Sequence, residues 1–180
     1  MLNAIPEEKD VDVLSEKSQK IFFAGESKVL PPAVEAVRQI FEEYGVEPKG
    51  KKAAVFGQGL LVGKPVSHWL VQQGAVVSVI TEHTKEPDKI SREADIIVSG
   101  VGPIRGKGAL RALAASNGVN HLITEGMVKE GAVVIDFAKD VDFESVSKKA
   151  GLITPPIGGV GPIVVAAVLK NLVELVDLQN

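Results

Sequence analysis

Apolar residues in this chain fall into two patterns: short continuous runs, and longer stretches where they recur every three or four positions. A run of roughly four to eight apolar residues suits a strand covered on both faces, whereas the wider spacing marks one side of a helix. The runs predict strands over about 52–56 (Ala53-Ala54-Val55-Phe56), 76–81 (Val76-Val77-Ser78-Val79-Ile80-Thr81), 95–99, 133–136 and, shorter, 152–154. Val34, Val37, Ile40 and Phe41, behind Pro31-Pro32 and ahead of Gly45, predict a helix over about 32–44. Further helices are expected over about 63–73, with Val66, Trp69 and Leu70 on one face and Gly74 as the stop, over 87–94, and over an alanine-rich 107–117. The last runs from Pro162 to Leu178, with Val165, Val168, Leu169, Leu172, Leu175 and Val176 as its apolar side. Residues 1–28 are polar and poorly periodic, which reads as an irregular lead-in. Strands alternating with helices predict an α/β, Rossmann-like, doubly wound parallel sheet with helices on both faces. The expected organisation is an N-terminal arm, 1–30, and one domain, 31–180.

Composition narrows the function classes. The chain has 180 residues, 45% of them hydrophobic, enough for one domain with a substantial core. A formal net charge of -3 gives no overall attraction to nucleic acid, and the basic residues have no aromatic partners for stacking bases. There are no cysteines, and His68, His83 and His121 lack the spacing of a metal site. The start, with Glu7, Glu8 and Asp10 close behind Met1, has no basic region followed by an apolar one, and no stretch has the length of a membrane span. A cytoplasmic protein with neither nucleic-acid nor membrane partners is expected, and the leading methionine favours a complete product.

Candidate chemistry begins at Gly57-Gln58-Gly59-Leu60-Leu61-Val62-Gly63-Lys64-Pro65, directly after the first strand. Glycines let a backbone turn sharply out of a strand and approach a pyrophosphate, and the following helix aims its N-terminus at the anion. Glu82, at the end of the second strand, suits the two hydroxyls of a ribose and repels a 2′-phosphate, which favours NAD over NADP. Gln58 is expected beside the ribose, where a neutral amide serves hydroxyls but offers no charge to a phosphate. The blander alternatives are glycines that ease a strand into a helix and a solvated Glu82.

Thr154-Pro155-Pro156-Ile157-Gly158-Gly159-Val160-Gly161-Pro162 places three glycines and three prolines between a short strand and a helix. This is a stiff loop at the carboxyl edge of the sheet, where open α/β folds bind ligands, or else a rigid connector. Lys9-Asp10-Val11-Asp12 reads from composition alone as solvated surface.

Taken together, these segments resemble the NAD(P)-binding domain of the bifunctional methylenetetrahydrofolate dehydrogenase/cyclohydrolase family. Pro6 to Asp12 is similar to the family's P-E-K-D-V-D-G segment, Gly57 to Pro65 to G-R-S-x-I-V-G-x-P, Ala94 to Gly102 to A-D-I-x-V-x-A-x-G, and Ile153 to Pro162 to I-T-P-V-P-G-G-V-G-P. Gly126 to Asp136 also follows the family's entry into a strand. The resemblance implies hydride transfer from methylenetetrahydrofolate to the cofactor and a homodimer formed through this domain. It places Gly57, Gln58, Gly59, Val62, Gly63, Glu82, Gly102 and Lys139 around the cofactor, and Asp12, Ile157, Gly158, Gly159, Val160 and Gly161 around the folate.

Departures from the family's pattern refine those expectations. Gln58 and Gly59 stand where an arginine and a serine hold a 2′-phosphate, and Glu82 stands where a serine is common, so NAD is preferred and NADP less so. Val13 replaces a glycine, Ile157 the second proline of the glycine-rich loop, and Val165 a threonine. About 105–122 is an insertion beside the site. The family's Tyr-x-x-x-Lys pair belongs to a preceding folate-binding domain; Tyr44, the only tyrosine, has Pro48 four residues on, so no catalytic lysine transfers and cyclohydrolase activity is expected to be absent. Three functions follow: an NAD-dependent methylenetetrahydrofolate dehydrogenase, a non-catalytic NAD-binding module or subunit pairing with a separate folate-binding chain, or an NAD-dependent dehydrogenase of another substrate.

Overall fold

The computed structural model describes residues 2–102 and 121–178. The expected helix over 107–117 and nearly all of the expected insertion lie outside the described residues. Along the chain run α1 (Glu16–Phe23), α2 (Pro32–Glu43), β1 (Lys52–Phe56), α3 (Gly63–Gln72), β2 (Val76–Ile80), α4 (Pro87–Arg92), β3 (Ile96–Ser99), β4 (Val133–Asp136), α5 (Phe143–Val146), β5 (Leu152–Ile153) and α6 (Val160–Asp177). Two compact units form, Glu47–Val160 and Met1–Val46 with Gly161–Asn180. Residues 1–30, expected as an arm ahead of a domain starting at 31, thus group with α2 and the last helix.

In the unit 47–160 the five strands make one sheet in the order β2-β1-β3-β4-β5, with every neighbouring pair parallel. The order runs outward from β1 to β2 and then resumes on the other side of β1 with β3. The crevice beyond the carboxyl ends of β1 and β3 is therefore the switch point, where doubly wound folds place their ligands. β1 and β3 carry the core: Ala54, Phe56 and Ile97 are fully buried and pack with Ile80, Ile123, Val128 and Val134. Burying one such large side chain contributes roughly 1.5–3 kcal/mol. β2 departs from the expectation of a strand covered on both faces. It is an edge strand, and Val76 is 62% exposed.

In the other unit, the expected irregular lead-in contains the eight-residue helix α1. Caps rather than periodicity set it: Ser15 Oγ accepts the Ser18 N–H at 3.2 Å, and the buried Asp10 carboxylate accepts Leu14 N–H at 3.0 Å and Ser15 N–H at 2.8 Å. Burial pushes the Asp10 carboxyl up, but the bonds from Leu14, Ser15 and Ser18 together bring it below the ordinary value. α2 starts on Pro32, whose fixed φ suits a first helical position. Within it Glu35, almost fully buried, accepts from Arg38, Gln39 and, at 2.8 Å, Lys170.

The face of α6 differs from the one expected. Ala167, Asn171 and Leu175 are buried, while Val165, Leu169, Leu172 and Val176 are half or more exposed or nearly so, at 62%, 58%, 49% and 50%. Asn171 decides the orientation, because its Nδ2 donates to the carbonyls of Val11 and Leu30, both at 2.8 Å. Two backbone carbonyls are satisfied that way, and no apolar residue offers this.

Candidate functional site

The site is built at the switch point of the sheet. Gly57 leaves β1 with φ 90, a conformation that disfavours any side chain, and its N–H donates to Ile80 O at 2.8 Å. The turn closes on itself: a Cβ on Gly63 would lie 2.1 Å from Gly57 O, so only glycine lets the first turn of α3 come this near. Lys64 N–H bonds Gly59 O at 3.1 Å and Val66 N–H bonds Val62 O at 3.0 Å, fixing the helix start against the turn. A Cβ on Gly59 meets nothing within 4 Å, so space is open beside that residue. Gln58 turns back on the protein, its Nε2 donating to Gly57 O at 2.9 Å and to Ser67 Oγ at 3.2 Å.

The loop after β3 forms the other wall. A Cβ on Gly100 would sit 2.8 Å from Val62 Cγ1, and one on Gly57 would meet Val101 Cγ2 at 3.3 Å. Gly57, Val62, Gly63 and the loop to Gly102 are thus brought together. Gly102 has φ 70, and a Cβ on it meets nothing within 4 Å among the described residues.

Asp140 anchors that wall. Its carboxylate accepts the Ser99 hydroxyl at 2.6 Å, Val101 N–H at 2.9 Å and Gly102 N–H at 3.1 Å. Burial pushes its carboxyl up, and neighbouring Asp136 adds to the rise, against the lowering effect of Ser99, Val101 and Gly102. Asp136 in turn accepts the backbone N–H groups of Ala138, Asp140 and Val141 at 3.0, 3.1 and 3.0 Å, and its own N–H donates to Thr154 Oγ1 at 2.9 Å. Lys139 sits between the two acids with φ 62, its side chain exposed.

Glu82 follows β2, its side chain 59% exposed and 3.5 Å from His83 Nε2. In the loop after β5, Gly158 has φ 73, and a Cβ on Gly159 would meet Pro155 O at 2.2 Å, so the glycines are required by the turn itself. Ile157 at its tip is 82% exposed. Val160 and Gly161 begin α6, with Val160 buried. Asp12 belongs to the other unit, half-buried after the turn at Glu7–Lys9 and directly before Val13, whose φ is 55.

Ser99, Asp136, Asp140 and Thr154 were not among the residues expected from sequence. Their signal was position: a serine, an acid and a threonine each close a strand on the ligand-binding edge. Among the described residues no group of three His, Cys, Asp or Glu is arranged to hold a metal, and no helix is long and apolar enough to cross a membrane.

Comparison with known proteins agrees with this geometry. The family described as tetrahydrofolate dehydrogenase/cyclohydrolase, NAD(P)-binding domain, matches residues 31–106 and 109–180. The bifunctional protein FolD 2 of Lactobacillus johnsonii is 35% identical over 189 residues, covering 100% of this chain and 61% of its own length. The crystal structure of the bifunctional methylenetetrahydrofolate dehydrogenase/cyclohydrolase from Campylobacter jejuni superposes with a TM-score of 0.86 at 33% identity, over 99% of this chain and 62% of that one. The Trypanosoma brucei enzyme, complexed with NADP and an inhibitor, gives a TM-score of 0.85 at 29% identity, over 99% and 61%. The chain thus spans about three fifths of the length of these relatives. It belongs to the tetrahydrofolate dehydrogenase/cyclohydrolase family, of which it carries the NAD(P)-binding domain.

Proposed function

We propose that the chain is the cofactor-binding half of an NAD-preferring methylenetetrahydrofolate dehydrogenase. The observation that carries the cofactor reading is the glycine turn at the switch point, followed by an acid rather than a base where the second strand ends. A fit is supported by the space beside Gly59 and Gly102, into which a Cβ would project without contact with any of the described residues. Gly57, Gly59, Val62 and Gly63 would hold the pyrophosphate at the N-terminus of α3, and Gly102 and Lys139 would border the cofactor beyond β3 and β4. Glu82 would accept hydrogen bonds from the ribose hydroxyls. The bound nicotinamide supplies a hydride acceptor, and this chain's residues supply orientation. The loop from Ile157 to Val160 would border the folate. Cyclohydrolase chemistry is left out of the reading, since no Tyr-x-x-x-Lys pair lies in these residues.

Calorimetric titration with NAD and with NADP tests the cofactor reading. NAD is expected to bind at least about tenfold more tightly, and equal or tighter binding of NADP would sink it. Activity is tested by NAD-dependent formation of methenyltetrahydrofolate, and a chain that binds NAD without this turnover contradicts the dehydrogenase assignment.

A second reading is supported by the exposed apolar side chains of Val165, Leu169, Leu172 and Val176 on α6 together with the three-fifths coverage of relatives. In it the chain is an NAD-binding subunit that pairs with a separate folate-binding chain. Turnover by the isolated chain would count against it. The homodimer implied by the family belongs to the first reading, and sedimentation of the purified chain checks it.

A further inference from the structure

The acid that the cofactor reading leaves without a role is Asp140, only 5% exposed and at the centre of a hydrogen-bonded chain across the carboxyl edge of the sheet. Thr154 follows β5, Asp136 ends β4, Asp140 follows it, and Gly100 to Gly102 follow β3; hydrogen bonds of 2.6–3.1 Å link them in that order. We infer that Asp140 is a positioning residue for the dinucleotide: it fixes the Gly100-Val101-Gly102 wall against the glycine turn before any nucleotide binds. This inference rests on the proposal that a nicotinamide nucleotide occupies the switch point.

First, a loop between a strand and the rest of the chain has backbone N–H groups that water would otherwise satisfy, and such a loop samples many conformations. Here two successive N–H groups and the Ser99 hydroxyl converge on one carboxylate. Hydrogen bonds to an ionised acceptor are about twice as strong as neutral ones. Second, the wall so held is in contact with the cofactor turn. Val101 Cγ2 would be 3.3 Å from a Gly57 Cβ, and Val62 fills the space where a Gly100 Cβ would go. A shift of the loop therefore changes the width of the turn directly. Third, a loop already ordered does not lose that freedom when ligand arrives, and the saving appears as affinity.

Asp136 keeps Asp140 in place rather than sharing its task. Its Oδ1 accepts the N–H groups on either side of Lys139 and its Oδ2 that of Val141, which holds Lys139 at φ 62 and turns the chain so that Asp140 faces β3. Left-handed backbone at a non-glycine residue costs of order 1–3 kcal/mol, so the local structure must over-determine it.

Asp140→Asn is the direct test. Rotating the new amide either way sets an NH2 group against the N–H of Val101 or Gly102, while size and shape stay the same. The variant should bind NAD about tenfold more weakly, with far-UV circular dichroism unchanged and with the amide resonances of Val101 and Gly102 displaced. Ser99→Ala, which leaves both backbone bonds intact, should bind within about threefold of the parent protein. Equal affinity for NAD in the folded Asp140→Asn protein overturns the inference. A measurement on the unaltered protein covers the case in which the variant does not fold. Amide hydrogen exchange at Val101 and Gly102 should be as slow as in β3 with no nucleotide present. Exchange at the rate of unstructured peptide, slowed only by adding NAD, also overturns it. Because that measurement needs no ligand, it is separate from the cofactor reading, which fails instead if the unaltered protein binds neither NAD nor NADP.

Discussion

The Gly57 carbonyl oxygen lies where a Cβ on Gly63 would be 2.1 Å away. A contact that short is with backbone, so it cannot be relieved by turning a side chain. Gly63→Ala must push α3 away from β1 and is expected to destabilise the fold by about 3 kcal/mol, toward the upper end of the cost of overpacking. Gly59→Ala is the control, because its new methyl meets nothing within 4 Å. It should leave stability within about 0.5 kcal/mol and lower nucleotide affinity by filling the space beside the turn. Urea unfolding of both variants separates the two roles.

Glu35 gives a stability that depends on pH in a predictable direction. Burial pushes its carboxyl up, but the bonds from Arg38, Lys170 and Gln39 outweigh that and bring it down from 4.5 to about 2. A carboxyl lowered on folding contributes stability that is complete above its unfolded value of 4.5 and is lost as pH falls through about 2. A shift of that size corresponds to about 3 kcal/mol, less what water takes from the half-exposed Arg38 and Lys170. Thermal melts should show Glu35→Gln below the parent protein at pH 7 and the gap narrowing steadily from pH 4.5 toward pH 2. A gap that does not change with pH would show that the ion pairs contribute nothing.

Val13 reverses an ordinary ranking. It is a β-branched residue at φ 55, 3% exposed, in the wall of a cavity of about 230 Å³ with Ile21, Val29 and Leu175. Its burial contributes roughly 1.5–3 kcal/mol and its backbone strain costs about 1–3. Val13→Ala removes most of the burial and keeps the strain, whereas Val13→Gly relieves it. The glycine variant should therefore be the more stable of the two by about 1 kcal/mol, although glycine elsewhere is the poorer choice. Chemical denaturation gives the order directly, and Ala above Gly would show that the strain is slight.

How much of this was legible in the sequence depended on whether a residue's surroundings were local. β1, β3 and β4 were readable because buried strands of a parallel sheet are apolar throughout, and the glycine turn was readable because its spacing follows from backbone geometry. β2 has the same composition, yet it is exposed: being at an edge is a property of the strand order. α6 is apolar on nearly every side, so periodicity could not choose its buried face, and Asn171, a polar residue with two carbonyl partners, chose it instead. α1 was hidden because only Ser18 and Phe22 of its eight residues are buried. Asp136 and Asp140 look in sequence like any acids after a strand. What distinguishes them is that backbone N–H groups from two loops, one after β3 and one after β4, point at their carboxylate oxygens.

The proposed preference for NAD rests on charge at the end of β2. Glu82 is exposed and close to His83, and Gln58 has its amide nitrogen committed to Gly57 O and Ser67 Oγ, so neither offers a cation to a 2′-phosphate. Exchanging Glu82→Ser removes a repulsive carboxylate, and adding Gln58→Arg supplies a planar cation suited to two phosphate oxygens. The single change Glu82→Ser should weaken NAD binding by loss of the ribose bonds and improve NADP binding. The double change should invert the preference, moving the NAD/NADP affinity ratio by at least about a hundredfold, which corresponds to about 2.7 kcal/mol. The arginine also removes the amide's bonds to Gly57 and Ser67, so Gln58→Arg alone measures the cost of freeing the turn. Titration of all three variants with both nucleotides decides the matter: a ratio that does not move when Glu82 is replaced would mean that the acid is a solvated surface residue.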